Sequence, residues 1–352
     1  MTRRYPSCWW FGFGRWPYWC VLLILAAQAG LGSLLAEAGE NREPQAGEVL
    51  VDGAVFHSLK AAFEAARPFS RIRIGPGDWL EAVVVTAEGV VIEGRGAHLK
   101  GRAAEGKAAI VVKADNVEIR GITCSGIAVP DRNGACVRLE GRNLALSGVH
   151  FHDSEEGLLT GSDPGIVAIW DSRFERLGRA GRAHGIYVGG GRLHISRSFF
   201  LSARDQGHEI KSRAIETIIE DSVIASLGGA DSRLIDVANG GRLVIRRSVL
   251  EEGPASVNSD LIGYGLEGLA ADRPHRIEIT DSLIINDKDR PVTFLARPKT
   301  APLRLMVIGN LFVGRFRDAI DDRMNRLLAS RKAAGLPPSP ALPKLPLALP
   351  TR

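Results

Sequence analysis

Aromatic residues are scarce in this chain. Phe, Trp and Tyr make up 6% of 352 residues, and four of the six Trp fall within the first nineteen. A surface that holds sugars by ring stacking is therefore not the expectation. Cysteine is scarcer still: beyond residue 20 only Cys124 and Cys136 remain. In an oxidising compartment these two can pair; alternatively they are two small core residues. A basic excess is missing where it would matter. The formal charge is +5, but residues 315–352 alone carry eight Lys/Arg against three Asp, and residues 1–38 carry three Arg against one Glu. The body between them is slightly acidic, so the basic isoelectric point comes from the two ends and gives no ground for nucleic-acid binding. Glycine, by contrast, is plentiful at 40 residues, which suits many turns and small stacked side chains.

The N-terminal 38 residues read as an export signal. Arg3, Arg4 and Arg15 precede an apolar run from Cys20 to Leu35, and Ala36-Glu37-Ala38 offers a small-x-small cleavage site. The expectation is a periplasmic or extracellular protein, in contact with a membrane only if this segment stays uncleaved as an anchor. No lipoprotein-type Cys follows the run.

The rest of the chain repeats. Strand-like runs centre on Ile92, Ile119, Leu146, Ile169, Ile195, Ile219, Ile245, Ile279 and Val307, with gaps of 23 to 34 residues. An aliphatic residue or Thr217 stands two positions before each. Five positions after each stand Ala97, Cys124, Phe151, Phe174, Phe200, Ile224, Leu250, Ile284 and Phe312. Ser172, Ser198, Ser222, Ser248, Ser282 and finally Asn310 hold the third position after the centre. The i, i+2 spacing is that of a strand, and a unit this short buries too little to be stable alone. Leucine-rich repeats share the period, but their Leu/Asn signature is missing. The expectation is an all-β fold: a single-stranded right-handed parallel β-helix of about nine coils over residues 47–314. Ser58, with Leu59 and Phe63 on one helical face, predicts an N-terminal capping helix. Residues 315–335 predict a C-terminal helix ending at Gly335, and the Pro-rich residues 336–352 predict a disordered tail.

The opening "SLKAAFEAARPFSRIRIGPGDWLEAVVV", followed by coils, resembles the pectate-lyase-like superfamily of parallel β-helix proteins. The runs "EGLLTG", "HGIYVG", "GHEIKSRA" and "DVANGG" are similar to secreted bacterial β-helix proteins of unestablished activity. The resemblance implies extracellular polysaccharide chemistry. It does not supply a reaction. The paired aspartates of β-helix glycoside hydrolases, the Asp-Pro-His-Asp run of alginate epimerases and the clustered calcium aspartates of pectate lyases have no counterpart here.

A second strand lies between successive centres. Aligned on Leu158, Ile186, Ile210, Ile235 and Ile262, the following position reads Leu159, Tyr187, Lys211, Asp236, Gly263. Alternation sends Ile210 and Ser212 inward and Glu209, Lys211 and Arg213 outward together. Lys211 is then expected between Tyr187 and Asp236, on a strip bordered by Gly161, Gly185, Gly189 and Ala238. Such a set suits proton abstraction beside a uronate carboxylate, which needs a base and a cation for the developing charge. Lys211, Arg213, Tyr187, His208 and His184 are the catalytic candidates, with Lys211 or Tyr187 as base. Asp236, Glu209 and Asn239 are the substrate-binding candidates. His184 and His208 stand at equivalent positions on adjacent coils, as a structural stack, a catalytic pair or metal ligands. "HFHDSEEG", with His150, His152, Asp153, Glu155 and Glu156, reads either as a cation site on hard oxygen ligands or as a solvated turn. No cofactor is expected, and nothing in the sequence supports a divalent cation. Loss of the 4-substituent would make a lyase, and reprotonation from the other face an epimerase. The alternatives are a non-catalytic binder of anionic glycans in the cell envelope, or hydrolysis by Asp236 with Glu209. In each case the partner is an acidic polysaccharide.

Overall fold

The computed structural model describes residues 42–299 and 303–343. The expected export signal, residues 1–38, lies outside the described residues. No described helix is long and apolar enough to cross a membrane.

Three long sheets of twelve, eleven and nine strands run the length of the molecule, and apart from an N-terminal hairpin on the first the neighbouring strands belong to successive coils. The result is an all-β, right-handed-type parallel β-solenoid of about nine turns. The alternation that defines it is visible along every coil. Ile119, Leu146, Ile169, Ile195, Ile219, Ile245 and Ile279 stack in register on the twelve-stranded sheet and point into the core. The second column stacks on the eleven-stranded sheet, where Phe174 and Phe200 lie face to face at 4.7 Å and Phe151 meets Phe174 edge-on. One member of that column differs from expectation. Cys124 pairs with Leu99, not Ala97, because the corner after Ile92 holds two more residues than later ones.

The serine column forms the corner between these sheets. Each buried hydroxyl accepts the backbone N–H of the equivalent residue one coil earlier: Ser198 from Ser172 (3.2 Å), Ser222 from Ser198 (3.1 Å), Ser248 from Ser222 (3.2 Å) and Ser282 from Ser248 (3.1 Å). Asn310 Oδ1 accepts from Ser282, and Asn325 Oδ1 from Asn310. A turn N–H without a ladder partner is thereby satisfied in each of these coils. The preceding Asp171, Asp221 and Asp281 adopt left-handed backbone, and Asp171 and Asp221 are held by Arg197 and Arg247 of the next coil.

Cys124 and Cys136 are joined by a disulfide with Cα atoms 5.8 Å apart. At the N-terminal end, Val49–Val51 pairs antiparallel with both Ala54–Phe56 and Arg71–Ile74. The helix Leu59–Ala65 follows. Its N-cap Ser58 accepts the Ala61 N–H, and it buries Leu59, Ala62 and Phe63.

The C-terminal segment departs from expectation. Residues 315–335 contain no helix, and Arg326–Leu328 is instead a strand paired with Leu311–Val313. The cause is the corner ladder: Asn325 continues it, Arg326 donates its N–H to Asn310 O, and Gly314 donates to Leu328 O. An exposed sheet edge offers backbone partners that outweigh helical propensity. Beyond this strand Arg331 binds the Asp287 carboxylate and the carbonyls of Pro337 and Ala341. Leu336 and Leu342 pack on an apolar cluster formed by the eleven-stranded sheet. Residues 344–352 lie outside the described residues.

Candidate active site

The nine-stranded sheet builds the site. Its strands Glu156–Thr160, Ile186–Val188, Ile210–Ser212, Ile235–Val237 and Asp260–Tyr264 pair in parallel, with Leu158, Ile186, Ile210, Ile235 and Ile262 in one inward column. The next position faces outward, so Tyr187, Lys211 and Asp236 follow one another across the strands, about 4.8 Å apart. The glycine border has a steric reason. A Cβ at Gly189 would lie 2.4 Å from the Gly161 carbonyl oxygen, so the backbone passes this close only without a side chain.

Lys211 Nζ donates to Asp236 Oδ2 at 3.1 Å and to Glu267 Oε1 at 2.6 Å. Arg213 donates through Nε to the Tyr187 hydroxyl (2.6 Å), through Nη1 to Asn239 Oδ1 (2.5 Å) and through Nη2 to Glu267 Oε2. Both cations also lie 5.8 Å from the Tyr187 ring centre. The Lys211 side chain is 12% exposed and that of Glu267 42%. The two cations therefore converge on one carboxylate at the mouth of the strip. Burial works against the Lys211 ammonium, but Glu267 and Asp236 outweigh it and hold its pKa above the usual lysine range. Hydrogen bonding from Lys211, then Arg213, holds the Glu267 carboxyl below its usual range. Lys211 is thus a paired ammonium and not a base. Tyr187 differs: its oxygen accepts from Arg213, which leaves its own O–H directed away from the guanidinium.

His184 and His208 form the stack, with ring centres 4.9 Å apart and planes 13° from parallel. Both are buried. His208 donates its N–H to His184 Nδ1, and Arg233 donates its N–H to His208 Nδ1. Each ring therefore carries its proton on Nε2. Burial pushes His184 well below the ordinary histidine value and His208 to about 3, so both are neutral. The stack adjoins the strip: His184 meets the Tyr187 ring edge-on at 5.8 Å, and His208 Nε2 lies 3.6 Å from Asp236 Oδ2.

Tyr187, Lys211, Arg213, Asp236 and Asn239 are brought together as expected, with the two histidines beside them. Glu209 is not. It precedes the strand that begins at Ile210, turns inward to 1% exposure and accepts the Ala203 N–H at 2.5 Å. Burial, with Asp231 adding to it, pushes its carboxyl well up. The Asp236–Glu209 pair required for hydrolysis is therefore not formed. The stretch "HFHDSEEG" is split between two sheets and is not a solvated turn. His150 and His152 stand on the eleven-stranded sheet beside Glu175 and Asp153. Glu155 is buried and accepts the Val129 and Gly134 N–H groups. Among the described residues no group of three His, Cys, Asp or Glu could hold a metal ion.

One site residue, Glu267, escaped the sequence reading, and a second, Glu156, was read only as part of "HFHDSEEG" and not as a neighbour of the strip. Glu267 lies in a loop after Asp260–Tyr264, within the longest spacing between strand centres, 34 residues from Ile245 to Ile279; that insertion is the signal that marks it. Glu156 stands two before Leu158, the position His184 and His208 hold on later coils. Beside the strip lies a groove of about 410 Å³ lined by Arg138, Glu156, Leu159, Arg182, Tyr187 and Arg213, among others. A larger hollow of about 550 Å³ at the C-terminal end, lined largely by apolar residues such as Phe294, Leu305 and Met306, contains none of these groups.

No protein-family model and no curated protein matches the chain in sequence. Among solved structures, an alginate lyase from Paenibacillus sp. str. FPU-7 aligns with a TM-score of 0.50 at 19% identity, over 77% of this chain and 95% of that one. Pectate lyase Pel9A aligns with a TM-score of 0.41 at 14% identity, over 71% and 76%. What the first likeness establishes is the fold alone, a parallel β-helix.

Proposed function

We propose that this chain is an exported protein that binds an acidic, uronate-containing polysaccharide along its nine-stranded sheet and cleaves it by β-elimination. C5 epimerisation would use the same proton abstraction with return from the opposite face. The observation that carries the reading is the convergence of Lys211 and Arg213 on a single carboxylate, that of Glu267. A uronate carboxylate placed there would meet the same two cations, one of them a guanidinium whose planar fork suits a carboxylate. As the proton beside that carboxylate leaves, the negative charge spreads onto the carboxylate oxygens, where Lys211 and Arg213 stabilise it. Tyr187 carries the proton: as phenolate, its oxygen held by Arg213 Nε at 2.6 Å, it takes the proton beside the carboxylate, and as phenol it returns that proton to the glycosidic oxygen as the bond from C4 to that oxygen breaks. Asp236 and the neutral histidine stack position Lys211, and Asn239 positions Arg213. The solved neighbour described as an alginate lyase is a reason to test alginate first.

The test is ultraviolet absorbance of the unsaturated uronate product from alginate and polygalacturonate, with wild type, Tyr187→Phe and Arg213→Ala. The expected result is a rise in the wild type that Tyr187→Phe lowers by about 10²–10⁴-fold, the range for a proton-transferring side chain. A rise that Tyr187→Phe leaves intact would overturn this assignment. The second reading, a non-catalytic binder, draws on the same Glu267 contact, which already neutralises the strip. It would be marked by salt-sensitive binding, lost in Arg213→Ala, with neither elimination nor epimerised product.

A further inference from the structure

The groove next to the strip carries charge that the reaction above does not use. Arg138, Leu159, Tyr187 and Lys211 follow one another in register across four strands. Arg138 thus lies three strand steps from Lys211, about 14 Å, which exceeds one sugar ring. Its nearest carboxylate, Glu140, is 3.9 Å away and is engaged by Lys107 at 2.7 Å. The buried Arg138 Nε has no hydrogen-bond partner, and the carboxyl of fully buried Glu156 has the His184 backbone N–H beside it. Arg182 is exposed and its guanidinium has no ion pair among the described residues. The groove therefore gathers three guanidiniums, those of Arg138, Arg182 and Arg213, around a floor of Leu159 and Tyr187. Burial also pushes the Glu156 carboxyl well up, against the pull of Arg138.

We infer that this groove is a second anion subsite, in which Arg138 and Arg182 take the carboxylate of a uronate further along the chain bound at Lys211 and Arg213. The inference rests on the polysaccharide reading of that strip and adds its direction and length. The ligand runs across the strands, parallel to the solenoid axis, and only an oligomer long enough to span both places gains from the second. Length dependence is then a property of Arg138 and Arg182, not of the reacting centre.

The experiment is calorimetric titration of the whole protein with defined alginate oligomers, a dimer and a hexamer. It compares wild type, Arg182→Gln, Arg138→Lys, Arg138→Gln and Arg213→Gln. Arg182 is exposed, so its variant is the arm that does not threaten folding. Arg182→Gln and Arg138→Gln are each expected to weaken the hexamer about tenfold, the scale of a lost charge-assisted hydrogen bond, and to leave the dimer unchanged, with Arg138→Lys between. Equal loss for both lengths, or no loss for either, overturns the subsite. Loss in Arg213→Gln alone leaves the polysaccharide reading standing without the subsite. Loss of hexamer binding in the Arg138 and Arg182 variants but not in Arg213→Gln supports the subsite and overturns the reading at Lys211. Wild type that binds neither oligomer overturns both.

Discussion

Glu267 decides how the strip meets a ligand. It neutralises Lys211 and Arg213 while half exposed, so an incoming carboxylate competes with a tethered one. Replacing Glu267 with Gln removes the competitor's charge and leaves its shape. Affinity for alginate is expected to rise severalfold at low ionic strength and the gain to fade as salt is added, because exposed charges are screened. Unchanged binding at every salt concentration would show that Glu267 does not occupy the ligand's place. Most of this cluster was legible beforehand because parallel stacking maps equivalent positions onto one another: Tyr187, Lys211 and Asp236 followed from alignment alone. Glu209 was misread because alternation holds within a strand and the strand starts one residue later. Glu267 could not be placed by period at all, since it belongs to an insertion.

At the scale of the element, the corner serines are the recurring device. Ser222 Oγ accepts the Ser198 N–H and donates to Glu220 O, both inside the molecule. Ser222→Ala leaves the buried Ser198 N–H without a partner, while Glu220 O keeps the Arg197 N–H, and is expected to cost about 1–3 kcal/mol, read from the denaturant midpoint. A change within a few tenths would mean that water replaces the hydroxyl. The sequence displayed this column plainly but did not reveal its end. Phe316, Ile320, Met324 and Leu327 recur at helical spacing, yet no helix forms over 315–335. Asn325 carried the contrary signal, because it takes the place of the next serine in the ladder. Local periodicity lost to a partner that lies fifteen residues back along the chain, Asn310.

For the whole molecule, the buried acids set the response to pH. Glu251 and Asp231 are fully buried, and burial raises their carboxyls to about 8 and about 6. Unfolded, both titrate near 4, so between these limits the native state binds more protons than the unfolded one and stability falls as pH rises. Their contribution is complete below the unfolded value and lost once pH passes about 8 for Glu251. Thermal unfolding from pH 5 to pH 8 is expected to show this decline and Glu251→Gln to flatten it; an unaltered slope in the variant would remove Glu251 as its source. The overall architecture was the most legible feature of all, since nine copies of one pattern leave few alternatives, whereas these interior charges depend on corners that no period describes. The N-terminal hairpin has a bearing on behaviour in a crowded solution. A solenoid built of parallel strands is one coil short of a template, and copies stacked head to tail would grow without closing. Here the twelve-stranded sheet ends on a short antiparallel hairpin, in which Val49–Val51 runs against the coils and covers their edge while the outermost strand, Ala54–Phe56, is only three residues long, and the helix Leu59–Ala65 packs against Val83–Val85, the first strand of the nine-stranded sheet. The molecule is therefore a poor seed for its own fibres: light scattering of concentrated protein should stay flat with time, and rise once residues 42–65 are removed.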